Sequence, residues 1–257
     1  MKISVVTIVY NDRSNIGRTM DSVLGQTARQ QIEYLVIDGA STDGTSDLIR
    51  ARCSEVDVYV CEKDRGIYDA MNKGIDRATG DYVLFMNSGD CFTNNRVVEE
   101  VIQAVSEQTA LPDLVYGNYR ECQNGSASAP IPSRHYSKIW YGPVASHQST
   151  FYNLHFLNRH HLSYDLGYKI AADYKLTLTV VQRSEGNILQ LPLCISDFDI
   201  TGVSNNHQDD GLREANRARR EILGWGKGKE WALTVMALTA RYAKRFLGPL
   251  YGKLRRM

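Results

Sequence analysis

The sequence has few cysteines, and no hydrophobic run is long enough to cross a membrane. Its five cysteines include no C-x-x-C pair, so we expect neither a disulfide framework nor a cysteine metal site. The N-terminal apolar run ends at Asn11 and Asp12, which makes it too short for a signal peptide. These features predict a reduced, cytosolic protein.

Several motifs for nucleotide and zinc chemistry are also missing. Neither G-x-G-x-x-G nor a P-loop follows the first apolar segment, where "YNDRSNIG" stands instead. NAD chemistry and ATP hydrolysis are therefore not supported. The six histidines form no H-E-x-x-H pattern, and the adjacent His160 and His161 point in different directions. A zinc hydrolase is not expected.

The charge is nearly balanced overall but is divided along the chain. The sequence has 30 Lys and Arg against 29 Asp and Glu. Residues 227–257 hold eight of the bases and one of the acids, which leaves 22 bases, 28 acids and a net charge of −6 before them. An acidic body with a basic tail is not typical of a nucleic-acid-binding domain, but it suits contact with an anionic membrane at one end.

Short apolar segments alternate with segments of helical period. The predicted strands are residues 3–9, 33–38, 56–61, 82–86, 113–117 and 145–152, with one or two more in 188–204. The predicted helices are residues 14–27, 44–52, 67–78, 95–108, 170–183 and 209–225. Several strands are continuously apolar, as expected when both faces are buried. The alternation predicts an α/β fold with a mostly parallel sheet flanked by helices, and the composition of residues 121–133 predicts a loop.

Ligands of such sheets bind outside the carboxyl ends of the strands. The turns after the second, third and fourth strands carry Asp38, Asp64 and Asp90, so these carboxylates are expected at one rim. Since no glycine-rich loop is present to hold phosphates, a divalent cation would have to join them to the protein. Asp90, which follows the turn at Gly89, is the expected ligand of Mg²⁺ or Mn²⁺.

Five stretches resemble a known enzyme family. They are "SVVTIVYND", "YLVIDGASTDGT", "EKDRGIYDAMNKGIDRATGDYVLFMNSGD", "ASHQSTFY" and "IAADYKL". In this order they resemble the family 2 inverting glycosyltransferases of the Rossmann-like GT-A fold, and among these the sugar transferases of bacterial exopolysaccharide, colanic acid and O-antigen assembly. The resemblance implies a GT-A domain at 1–205, with a nucleotide-sugar-binding half at 1–120 and an acceptor-binding half at 121–205. A helical extension follows at 206–257.

The resemblance also implies roles for individual residues. Asp38 would contact the uracil or ribose of a UDP-sugar. The "NSGD" stretch stands at the family's D-x-D motif, with Ser88 in place of the first Asp and Asp90 as the metal-binding second. Asp173 resembles the catalytic base, and His147 is expected to contact the acceptor or a phosphate. The other implied donor-binding residues are Thr7, Val9, Tyr10, Asp64 and Arg65.

The implied activity is transfer of a sugar, with inversion, from a UDP-sugar to a lipid-linked saccharide on polyprenyl diphosphate. Two alternatives remain open. One is a non-catalytic scaffold subunit of a polysaccharide assembly complex. The other is a sugar nucleotidyltransferase, although residues 1–20 lack a glycine- and base-rich loop for a triphosphate. The site residues also have plain structural interpretations, with Asp38 and Asp90 as turn residues and Asp173 as a solvated helix residue.

The C-terminal tail has an amphipathic, basic pattern. Its apolar residues on one helical face are Trp231, Val235, Leu238, Tyr242 and Phe246. The basic residues that flank this face predict an interfacial helix on anionic lipid, which would make the protein peripheral at the inner face of the plasma membrane. A final helix that packs on the body is the alternative.

Overall fold

The computed structural model describes residues 1–123, 126–200, 208–236 and 239. Its helices are α1 (Arg13–Leu24), α2 (Thr45–Ala51), α3 (Ile67–Arg77), α4 (Val97–Ser106), α5 (Leu154–Arg159), α6 (Ala172–Arg183) and α7 (Gln208–Leu223). Its strands are β1 (Ile3–Val9), β2 (Ile32–Asp38), β3 (Val58–Cys61), β4 (Tyr82–Phe85), β5 (Cys91–Phe92), β6 (Leu114–Gln123), β7 (Ser126–Ala127), β8 (Thr150–Asn153) and β9 (Ile188–Asp199). Residues 227–236 are also helical.

The strands form one mixed sheet in the order β3-β2-β1-β4-β8-β6-β9-β5, and β7 pairs with β6. The first four strands of this order are parallel, as are β6 and β9. Strand β8 is antiparallel to both of its neighbours, β4 and β6. The predicted α/β class with a mostly parallel, helix-flanked sheet is confirmed.

The central strands are buried on both faces. Every residue of β1 and β2 is buried, which explains why these segments are continuously apolar in sequence. Alternate residues of β1 enter different cores. Val6 and Ile8 pack in the cluster that contains Met71 of α3, whereas Val5 and Val9 pack in the other cluster, on the opposite face. The sheet is thus packed against an apolar cluster on each of its two faces.

Sequence patterns were less informative between residues 113 and 160. The predicted loop at 121–133 is wrong at its start, because β6 continues to Gln123 alongside β9. The predicted strand at 145–152 is also wrong in part: residues 147–149 form a 3₁₀ turn, and β8 begins at Thr150. The hydroxyl of Thr150 donates to the carbonyl of Ser146 at 2.8 Å, which closes this turn. The short β5 and α5 had no prediction.

The C-terminal extension packs on the part of the body between residues 121 and 205. The carboxylate of Glu214 in α7 accepts the backbone N–H groups of residues 169–171, just before α6, at 2.8 to 2.9 Å. Arg219 is only 2% exposed and donates to the carbonyls of Trp140 and Tyr141. The boundary at 205 stays a prediction, but α7 is in direct contact with the body.

The predicted membrane face is only partly within the described residues. Trp231 is 71% exposed and Val235 is 39% exposed, while Leu238, Tyr242 and Phe246 lie outside the described residues. None of the helices in the described ranges has the length and apolarity to cross a membrane.

Candidate active site at the sheet rim

The rim is formed where β1 and β4 end side by side. The backbone N–H of Ser88 donates to the carbonyl of Ile8 at 3.1 Å, so the "NSGD" turn stays next to the end of β1. Gly89 has a φ of +97°, a conformation that strongly favours glycine. This turn places Asp90 beneath the rim rather than in solvent.

Asp90 is buried and hydrogen-bonded within the protein. Its side chain accepts from Nε2 of Gln148 at 2.7 Å and from the backbone N–H of Asp199 at 2.9 Å. Burial raises the pKa of Asp90 to about 7, and the negative charge of Asp199 adds to this rise. The two hydrogen bonds and the charge of Arg18 act in the opposite direction. A carboxyl in this state exchanges its proton near neutral pH.

Asp199 is a site residue that sequence reasoning missed. A Cβ atom built on Gly89 would lie 3.8 Å from its Oδ2 atom, so a second carboxylate stands beside the turn. The available signal was "DFD" at 197–199, in which Asp197 instead forms an ion pair with Arg120 at 2.6 Å. Two carboxylates fit a hard cation that keeps water and phosphate ligands. Across the described ranges, no three His, Cys, Asp or Glu residues converge on a possible metal position.

Ser88, which stands in place of the first Asp of the motif, contacts a carboxylate from another strand end. Its Oγ donates to Oδ2 of Asp12 at 2.7 Å. Asp12 also accepts from Nδ2 of Asn15 in α1 at 2.7 Å. Sequence reasoning placed Asp12 after the first strand but gave it no role. Ser88 thus holds the Asp12 carboxylate next to the place where the motif's first Asp would stand.

Asp38 is fully engaged by its own loop. Ser41 donates its N–H and hydroxyl to Oδ1, at 2.9 and 2.7 Å. Ser46 and Tyr59 donate to Oδ2, the latter at 3.1 Å. Burial alone would raise the pKa of Asp38, but these hydrogen bonds outweigh it and lower the pKa. Four donors occupy the usual acceptor capacity of a carboxylate, so Asp38 holds the loop together, and its contact with the nucleoside stays a prediction.

Two of the predicted donor-binding residues lie in the core. Thr7 is fully buried with its hydroxyl 3.1 Å from that of Tyr34. Val9 is 6% exposed and packs in the same core cluster as Ile16 of α1. Since the side chains of both residues are enclosed by protein, they belong to the core beneath the rim.

The structure brings Tyr10 and Asp64 together over the Cα atom of Gly39. A Cβ atom at Gly39 would lie 3.2 Å from the ring of Tyr10 and 2.6 Å from Oδ2 of Asp64. Tyr10 is 64% exposed. Arg65 lies further out, with 77% of its side chain exposed, and pairs with Asp69 at 2.9 Å. The Tyr10 ring and the half-buried Asp64 carboxylate thus form one surface at the ends of β1 and β3.

Asp173 and His147 meet at the other end of the rim. Asp173 lies in the first turn of α6. Its Oδ2 is 3.8 Å from Nδ1 of His147, and its Oδ1 is 3.5 Å from the hydroxyl of Tyr68. Nε2 of His147 lies 2.9 Å from Nδ2 of Asn87. Burial lowers the pKa of His147, while the charge of Asp173 partly opposes this, which favours a neutral imidazole.

A cavity of about 300 Å³ opens beside this pair. His147, Gln148 and Asp173 line it, together with Glu121 and Arg134 from the acceptor half. The buried amide oxygens of Asn87 and Gln148 have no hydrogen-bond partner in the described structure. Buried acceptors without partners are costly, so these two amides are strained points beneath the rim.

Comparisons with known proteins agree on one family and one fold. The family model described as Glycosyl transferase family 2 matches residues 4–167. An uncharacterized glycosyltransferase of Mycobacterium tuberculosis is 32% identical over 211 residues, which are 82% of this chain and 79% of the relative. Glycosyltransferase AglE of Haloferax volcanii is 32% identical over 120 residues, or 45% of this chain and 38% of AglE.

Solved structures with the same fold include enzymes bound to nucleotide sugars. The first 349 residues of TarS from S. aureus, in complex with UDP-GlcNAc, match with a TM-score of 0.69 and 17% identity over 96% of this chain and 73% of that one. The mannosyltransferase PcManGT from Pyrobaculum calidifontis, in complex with GDP-Man and Mn²⁺, matches with a TM-score of 0.66 and 17% identity. That match covers 99% of this chain and 78% of PcManGT.

Proposed function

This chain belongs to glycosyl transferase family 2, and on that premise we propose that it transfers a sugar from a UDP-sugar to a lipid-linked saccharide with inversion at the anomeric carbon. The observation that carries the proposal is the arrangement of carboxylates at the rim. Asp90 and Asp199 flank the turn that ends β4, and Asp173 faces the cavity on the acceptor half. Inversion needs stabilisation of the leaving diphosphate on one side of the sugar and a general base for the acceptor hydroxyl on the other.

Asp173 is the proposed general base. The acceptor oxygen forms its bond to the anomeric carbon while the bond from that carbon to the diphosphate breaks, and the electron pair leaves with the diphosphate. The hydroxyl proton goes to a carboxylate oxygen of Asp173. A base of this kind contributes about 10²- to 10⁴-fold to the rate.

Asp90 and Asp199 are the proposed holders of Mn²⁺ or Mg²⁺. Their oxygens are the donor type that these ions prefer, and a carboxyl that titrates near pH 7 gives up its proton when a cation binds. The Mn²⁺ in the PcManGT complex supports the use of a divalent cation. When bound, such an ion supplies Lewis-acid neutralisation of the leaving diphosphate.

The donor is proposed to lie on the surface formed by Tyr10, Gly39 and Asp64. An exposed tyrosine offers a flat face for a nucleobase, and the missing side chain of Gly39 lets Tyr10 and Asp64 approach its backbone. The structures of TarS with UDP and with UDP-GlcNAc support a uridine nucleotide. Ser88 and Arg65 are placed at the diphosphate end in this proposal, and His147 near the acceptor.

The acceptor is proposed to be a polyprenyl-diphosphate-linked saccharide of bacterial exopolysaccharide assembly. The exposed Trp231, Val235 and Met236 on residues 227–236 precede the basic tail in sequence. Aromatic and aliphatic side chains beside bases are typical of interfacial helices. This pattern supports a cytoplasmic protein bound to the inner face of the plasma membrane.

Calorimetric binding of UDP, GDP and dTDP, each with Mn²⁺ and with EDTA, tests the donor. We expect UDP alone to bind, and only with the metal. A screen of UDP-sugars with a polyprenyl-diphosphate saccharide follows, and NMR of the product should show a β-linkage from an α-linked donor. Binding of GDP or dTDP in place of UDP would overturn the donor, and UDP binding without any transfer or donor hydrolysis would favour the scaffold alternative.

A further inference from the structure

A chain of contacts connects the "NSGD" turn to the proposed base. Asn87 begins this turn, and its Nδ2 lies 2.9 Å from Nε2 of His147. The opposite ring nitrogen, Nδ1, faces Oδ2 of Asp173 at 3.8 Å. Only 18% of the His147 side chain is exposed, so the ring is held between these two partners.

The two partners together select one tautomer of the ring. If Nδ2 of Asn87 donates to Nε2, then Nε2 holds the lone pair and Nδ1 holds the hydrogen. In the other tautomer, the Nδ1 lone pair would face the Asp173 carboxylate, so that two acceptors would oppose each other. That tautomer would also require Asn87 to turn its amide, which would leave an N–H group rather than an oxygen without a partner. The Nδ1–H tautomer is therefore favoured at both ends.

We propose that His147 is a positioning residue for the base, with its Nδ1–H directed at Oδ2 of Asp173 and its tautomer set by Asn87. The Tyr68 hydroxyl lies 3.5 Å from the other carboxylate oxygen. Both distances exceed those of good hydrogen bonds, as is common before substrate binds. Closure of the His147 contact would hold Oδ2 and leave the carboxylate in one orientation for the acceptor hydroxyl.

The kinetic test rests on the proposed function and uses a double-mutant cycle. His147→Ala, Asp173→Asn and the double variant are assayed for transfer, with calorimetric UDP binding as the measure of intact folding. Since a misplacement of about 1 Å can cost about 10²-fold in rate, we expect His147→Ala to lower kcat by about that factor. It should leave the donor KM unchanged and should have no further effect in the Asp173→Asn background.

The chain offers a matched control in His155, which lies 3.6 Å from Asp81 but is 67% exposed. His155→Ala should keep the kcat of the unmodified protein. An unchanged kcat in His147→Ala would overturn the proposal. So would an equal loss from His147→Ala with and without Asp173, because His147 would then act independently of the base.

A spectroscopic test needs no activity and so separates this inference from the proposed function. The ¹⁵N shifts of the His147 ring, assigned by comparison with His147→Gln, should show a protonated Nδ1 and an unprotonated Nε2 in the free protein. Asn87→Ala should shift the ring toward a mixture of tautomers. An Nε2–H tautomer in the unmodified protein would overturn the inference even if transfer is observed. If no transfer is observed, the kinetic role of His147 is refuted together with the proposed function. The measured tautomer still tests the inferred orientation of the His147 ring.

Discussion

Replacement of Asp90 by Asn should stabilise the protein at neutral and alkaline pH. The carboxyl is 4% exposed, and burial raises its pKa from 3.8 to about 7. In the substituted protein, the backbone N–H of Asp199 still has a side-chain oxygen to bond. Gln148 can turn its amide so that Oε1, which lacks a partner, accepts the introduced N–H. The variant thus removes a buried charge and keeps both hydrogen bonds at position 90, while the unpartnered atom of Gln148 changes from the amide oxygen to the amide nitrogen.

The size of this effect follows from proton linkage. Because the pKa is higher in the folded state, the carboxyl favours folding at low pH, and that contribution is lost as pH rises toward 7. Each pH unit between the two pKa values changes the free energy of unfolding by about 1.4 kcal/mol. From pH 5.5 to pH 8 the unmodified protein should lose about 2 kcal/mol that Asp90→Asn keeps. For a chain of this size, this is about 4–8 °C in Tm.

Thermal unfolding of both proteins in EDTA at pH 5.5, 7 and 8 measures this difference directly. The Tm of Asp90→Asn minus that of the unmodified protein should rise across the series. Asp76→Asn, on the exposed side of α3, serves as the control, because exposed substitutions change stability by about 0.5 kcal/mol or less. A difference that stays constant with pH, or that falls, would refute the reasoning about the buried carboxyl.

Three further substitutions probe the site and its support. Asp173→Asn should lower kcat by about 10²- to 10⁴-fold with UDP affinity intact in calorimetry; a near-normal kcat would exclude this residue as the base. Glu214→Ala should lower the free energy of unfolding by about 2–4 kcal/mol in urea titrations, because three N–H groups lose a charged acceptor, and Glu214→Gln should recover part of it. Arg219→Met should cost about 2–5 kcal/mol, since it leaves buried carbonyls unsatisfied, whereas the 81% exposed Arg213 should tolerate the same change; equal effects at the two positions would contradict the packing argument.

The first half of the fold was predictable because its strands are buried on both faces. The predicted strand at 3–9 matches β1, the strand at 33–38 differs from β2 by one residue, and the helix at 67–78 differs from α3 by one residue. A continuous apolar run bounded by polar turns has few alternatives to a central parallel strand. The rim position of Asp64 and Asp90 then followed from topology alone.

The part of the fold after residue 113 was less predictable because pairing partners, rather than local pattern, define its strands. The second part of β6 is polar and half-exposed, and it is a strand because β9 runs beside it with an irregular register. Strand β9 also pairs with β5, and it brings the backbone N–H of Asp199 to Oδ1 of Asp90 across 109 residues of sequence. No local spacing in the sequence indicates this contact.

The family resemblance and the observed hydrogen bonds indicate different roles for Asp38. The family motif indicates a nucleoside contact, whereas Ser41, Ser46 and Tyr59 already use the acceptor capacity of the carboxylate. A motif identifies the residue type at a position. Burial and hydrogen-bond partners determine whether that side chain contacts the ligand itself or stabilises a loop that does. Here the loop held by Asp38 carries Gly39, where Tyr10 approaches.

The position of the proposed base depends on the segment after residue 205 as well as on the sheet. Asp173 lies two residues after the stretch whose backbone N–H groups Glu214 accepts. Lys175, two residues after Asp173 in the same helix, pairs with Glu221 of α7. Loss of α7 would remove the acceptor of the N–H groups at 169–171 and would leave Lys175 paired with Asp165 alone, at the end of α6 that carries the proposed base. The stability of the C-terminal helix and the geometry of the base are therefore coupled through a few named contacts.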